Sequence, residues 1–141
     1  MNPEKKPSVL VCVTGQYDCD RLINAGFEIA VEKGYNLHVL CVHEPVSNCS
    51  FLSDEFEYLY QTSKSLCAEM TIAFHPDAPQ TTADFAKKIN AKQIITGMPD
   101  DRPHGFVDSI HELLPKSHIT IVTKEGEHLY YSENCYAKVP A

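Results

Sequence analysis

The sequence contains no tryptophan and only six glycines in 141 residues. Nothing in it approaches the roughly 18–20 consecutive apolar residues that a membrane-crossing helix needs, so no such helix is expected. Positive charge is also in short supply. Lysine and arginine total 12 against 19 aspartates and glutamates, a net charge of −7 with histidine neutral. A protein that tracks nucleic-acid phosphates needs the opposite balance, and so does one that adheres to an anionic lipid surface. Neither nucleic acid nor membrane is therefore expected as a partner. The start of the chain lacks a secretory core: Glu4, Lys5 and Lys6 run into an apolar stretch that is too short for one. This places the chain in the cytoplasm, with its six cysteines reduced. Cys-x-x-Cys and His-x-x-x-His spacings are missing as well, which argues against a structural zinc site.

What is present is an ordinary globular balance, 43% apolar and 22% charged, at a length that fits one domain. Five short apolar runs at 8–13, 37–42, 70–74, 93–96 and 119–123 are rich in Val, Ile, Leu and Thr and read as strands. The first two are apolar almost throughout, as in a parallel sheet covered on both faces. Between the runs lie helix-period stretches. Residues 20–33 place Leu22, Ile23, Gly26, Ile29 and Ala30 on one face, and Gly34 offers a stop. Residues 54–67 form a second, with Ser53 as its expected N-cap. Thr81 or Thr82 is expected to cap a third, and 106–114 form a fourth that ends at Pro115. The alternation specifies an α/β fold with a doubly wound five-stranded parallel sheet and helices on both faces. The segment 1–124 reads as that domain. The tail 125–141 opens on a turn signal and continues into a β-prone run, so an extra antiparallel strand is expected beside the fifth.

Open sheets of this kind bind ligands beyond the carboxyl ends of their strands, where strand order reverses. Candidate ligand-binding residues are therefore Thr14, Gly15 and Gln16 after the first strand, Val42 and His43 at the end of the second, and Gly97 and Met98 after the fourth. Gly105 and Val107 follow at the start of the fourth helix. Gly15 also reads simply as a turn residue, with Asp18 or Asp20 capping the first helix. Cys19 sits at a helix start, but Asp18 and Asp20 flank it with negative charge, and a structural role is expected. No catalytic residue is assigned.

The run VLVCVTGQYDCDRLINAGFEIAVEKGYNLHVLCVHEP resembles the opening β-α-β unit of universal stress protein domains. ADFAKKINAKQIITGMP resembles their helix leading to the fourth strand, and GFVDSIHELLPKSHITIV their last helix and fifth strand. The resemblance implies strand order 3-2-1-4-5, a small-molecule or nucleotide ligand such as ATP or another adenine nucleotide, a role in stress response, and a homodimer. ATP-binding members resemble one another in a Gly-x-x-Gly-x(9)-Gly-Ser/Thr loop. Here Gly97 matches its first glycine, Asp100 replaces the second, Gly105 comes several residues early, and Phe106 stands in place of the hydroxyl residue. Pro99 and Pro103 have no N–H to donate, and Asp100 and Asp101 repel a polyphosphate. Thr14 replaces the aspartate that tends to end the first strand of ATP-binding members. Tight ATP binding is thus not expected. Thr14-Gly15-Gln16-Tyr17-Asp18-Cys19 also resembles the pyrophosphate loop of certain ATP-cleaving ligases, but with Gln16 and Cys19 in place of a glycine and a serine. The leading expectation is a binding protein. An ATP-binding or ATP-hydrolysing protein of the same fold and an interaction module with an empty crevice stand as alternatives.

Overall fold

The structure, a computed structural model, describes residues 6–44, 54–98, 105–132 and 135–138. β1 (Ser8–Cys12) leads through a single 3-10 turn (Tyr17–Cys19) into α1 (Asp20–Lys33) and then β2 (Asn36–His43). α2 (Asp54–Ser65), β3 (Glu69–Phe74), α3 (Ala78–Lys88), β4 (Ala91–Gly97), α4 (Phe106–Leu113) and β5 (His118–Val122) continue the alternation. A hairpin of β6 (His128–Ser132) and β7 (Cys135–Lys138) completes the sheet. The sheet order is β3-β2-β1-β4-β5-β6-β7. The first five strands pair in parallel, and the two hairpin strands are antiparallel. The expected order 3-2-1-4-5 and the added antiparallel strand are both present, with β7 as a further strand beyond it.

The continuous apolar character of β1 follows from burial on both faces. Val9, Leu10 and Val11 are each fully buried, and side chains alternate across a strand. Val9 and Val11 therefore face the α1 side with Leu22, Ile23, Val39 and Leu59. Leu10 faces the α3–α4 side with Leu40, Ala83, Ile94 and Ile110. Each such side chain contributes roughly 1.5–3 kcal/mol on burial, so β1 is the seam at which both cores meet.

Two local expectations require correction. α3 starts at Ala78, earlier than a cap at Thr81 or Thr82 would allow, because the Asp77 carboxylate accepts from the Gln80 amide at 3.1 Å and Pro79 occupies the opening turn. Proline suits that position, since the amide it lacks has no helical partner there. At α1, neither Asp18 nor Asp20 caps. The N-cap position is Cys19, with no side-chain cap, while the Asp20 carboxylate accepts from the Tyr58 hydroxyl at 2.6 Å and Asp18 pairs with Arg21. Gly34 does end α1, in a left-handed conformation with φ of 71°. The expected cap Ser53 lies outside the described residues.

Candidate functional site

Strand order reverses around β1, which has β2 on one side and β4 on the other. A cavity of about 420 Å³ opens beyond the carboxyl ends of these strands, within the range of small-molecule sites. Its apolar walls include Leu22, Val42, Met98 and Phe106, and Thr14, Thr82 and Thr96 add hydroxyls. Of the sequence candidates, Thr14, Gln16, Val42, Gly97, Met98 and Val107 line this space.

The other three lie just outside the lining. Gly15 holds φ of 91°, and a Cβ there would meet the Phe56 ring at 2.8 Å. It makes the turn after β1 and lets α2 approach, a place where only glycine fits without strain. His43 lies between aromatic rings, 6.3 Å from Phe56 and 6.2 Å from Phe74, with its Nδ1 2.8 Å from the Glu44 carbonyl oxygen. Gly105 is the N-cap position of α4 with ordinary extended backbone. The connector residues Pro99, Asp100, Asp101, Arg102, Pro103 and His104 lie outside the described residues.

Sequence reasoning missed the charged part of the lining. Asp18, Arg21 and Lys124 all face the cavity. Arg21 donates through Nε to the Thr123 carbonyl at 3.0 Å and through Nη1 to the Asp18 carbonyl at 2.7 Å. The signal for Arg21 was a lone arginine in the first turn after the β1 loop. Lys124 gave none, because nothing local to the sequence brings the end of β5 to the β1 loop.

The Cys12 thiol in the lining, and Cys41 beside it, are poor nucleophiles. Burial, with a smaller contribution from neighbouring Cys41, pushes the Cys12 thiol up to about 12. Burial pushes Cys41 up to about 11, with a further contribution from Cys19. At neutral pH the reactive thiolate forms of Cys12 and Cys41 are essentially unpopulated. Among the described residues, no cluster of three or more His, Cys, Asp or Glu side chains is arranged to hold a metal ion. No helix among them is long and apolar enough to cross a membrane.

No family model matches the sequence, and no curated protein matches it. Solved structures do. A universal stress protein in complex with cAMP superposes with a TM-score of 0.66 at 12% identity, covering 86% of this chain and 99% of that one. A universal stress protein from Archaeoglobus fulgidus gives a TM-score of 0.59 at 16% identity, covering 82% and 91%. A structure of the universal stress protein from Archaeoglobus fulgidus in complex with dAMP gives 0.53 at 16%, covering 84% and 96%. The strand order, the crossovers and these superpositions agree: this chain has the fold of the universal stress proteins.

Proposed function

We propose that this protein acts by binding, and that its ligand is a small adenine nucleotide held in the cavity at the ends of β1 and β4. The observation that carries this reading is the cavity itself. It has about 420 Å³ at the point of strand reversal, with largely apolar walls, interspersed hydroxyls and charged groups in its lining. That combination suits a flat heterocycle with a polar sugar and an anionic end. Two structures of the same fold, in complex with cAMP and dAMP, carry ligands of this class with one phosphate. The wall residues Val42, Met98 and Val107 are placed for the base, and Thr14 and Gln16 for polar contacts. A nucleotide-responsive regulatory role in stress response is part of this proposal, and the likeness to universal stress protein structures supports it.

Triphosphate binding is the weaker alternative. The 97–105 connector carries two prolines and two aspartates where a triphosphate needs amide donors. Hydrolysis finds no support in the Cys12 and Cys41 thiols, which burial keeps protonated. A homodimer is part of the proposal, formed through a surface other than a bare β5 edge, since β6 pairs there.

Calorimetric titration of the full chain with AMP, cAMP and ATP–magnesium tests the reading. The expected result is binding of a monophosphate with Kd of about 10–100 μM, or roughly −5.5 to −7 kcal/mol, and weaker binding of ATP. Low-micromolar ATP affinity overturns the argument about the connector. No binding of any of the three overturns the nucleotide reading.

A further inference from the structure

In a chain of net charge −7, the lining of this cavity carries two cations, Arg21 and Lys124, against one carboxylate, Asp18. The two cations are neighbours for a structural reason. Arg21, in the first turn of α1, donates to Thr123 O at 3.0 Å and to Val122 O at 3.4 Å. Thr123 directly precedes Lys124, so the guanidinium is fixed to the main chain one residue from the lysine.

A third hydrogen bond, to Asp18 O, ties the same guanidinium to the β1 loop, and the Asp18 carboxylate lies 3.4 Å from Nη1. Main-chain carbonyls thus take three of the five N–H groups that an arginine carries. The remaining N–H groups leave the guanidinium able to donate to a ligand oxygen. Gly97 lies beside it: a Cβ at that position would sit in ordinary contact, 3.4 Å from Arg21 Nη2 and 3.9 Å from Leu22 Cδ1. The glycine that ends β4 thus has the Arg21 side chain directly beside it.

We infer that the ligand's phosphate docks between Arg21 and Lys124, where the β1 loop meets the end of β5. These two side chains then set the preference for a singly phosphorylated nucleotide. The inference rests on the nucleotide reading above and adds which residues hold the anion. Charge-assisted contacts from a guanidinium and an ammonium suit a compact dianion. A triphosphate carries more charge than two cations offset, and the Asp18 carboxylate in the same lining adds repulsion. With the phosphate at this end, the neutral base faces the apolar wall of Val42, Met98 and Val107.

The experiment is calorimetric titration of wild-type and Lys124→Glu full chains with adenosine and with AMP, at low and high salt. Lys124 is exposed, so charge reversal there leaves the core intact, which a thermal melt verifies. The wild type is expected to prefer AMP over adenosine by about tenfold, as one good ionic contact gives. Lys124→Glu is expected to bring that ratio to about one, and high salt to reduce it in the wild type. A ratio that neither the substitution nor salt changes overturns this placement of the phosphate and leaves nucleotide binding standing. If neither adenosine nor AMP binds the wild type, the nucleotide reading falls first and this placement with it.

Discussion

Gly26 lies in the middle of α1, where propensity alone favours alanine by about 1 kcal/mol. Packing reverses that sign. A Cβ at Gly26 would meet Val11 Cγ2 at 2.4 Å and Leu37 Cδ1 at 3.2 Å, and Val11 is fully buried in β1 with no room to retreat. Gly26→Ala is therefore expected to destabilise by about 1–3 kcal/mol, the usual cost of overpacking, read as a lower urea midpoint. His38 offers a second residue-scale test. Burial lowers its pKa, and Glu69, with Oε2 3.8 Å from Nδ1, opposes the shift without cancelling it. The folded protein then binds fewer protons than the unfolded chain below the ordinary histidine pKa of about 6.5, so stability rises with pH. The contribution is complete above that pH and is lost as pH falls through the folded pKa. His38→Gln is expected to flatten the fall in melting temperature between neutral and mildly acidic pH.

The elements themselves were largely legible, and each miss has a physical cause. The five parallel strands stand where Val, Ile, Leu and Thr cluster, because a strand buried on both faces needs apolar side chains at every position. α1 matches its sequence reading because Gly34 marks a stop that only a left-handed residue satisfies well. Thr81 and Thr82 suggest a later start for α3 because Pro79 lies just before them. In the presence of the Asp77 cap, it is a first-turn residue. The site divided along similar lines. Thr14, Gln16, Val42, Gly97, Met98 and Val107 were found because strand ends are visible in sequence, and strand ends line the cavity. Arg21 and Lys124 were not, because a contact across 102 residues between the Arg21 guanidinium and the Thr123 carbonyl leaves no local pattern. Gly15 and His43 lie just outside the lining, against Phe56 of α2. That placement comes from tertiary packing of Phe56.

At the scale of the whole molecule, the hairpin changes what the sheet presents to its surroundings. Thr120, Ile121 and Val122 of β5 pair with Tyr130, Leu129 and His128 of β6, so the edge that five strands alone would leave open is covered. An open edge is a template for association. Tyr131 fastens the cover: its ring lies 5.1 Å from His111, and its hydroxyl donates to the Asp108 carboxylate of α4. α4 also begins with Phe106 and Val107, which line the cavity, so one hydrogen bond couples the sheet edge to the site. Tyr131→Phe keeps the buried ring and removes that bond, at a cost of about 1.5–3 kcal/mol for a contact to a charged group. The expected outcome is a lower melting temperature and weaker AMP binding, with no change of mass in solution, since the ring still holds β6 in place. Removing residues 126–141 instead bares β5, and its mass by light scattering is expected to rise. If the truncated chain keeps the wild-type mass, the covered edge was never an association surface, and any dimer must be sought elsewhere on the molecule.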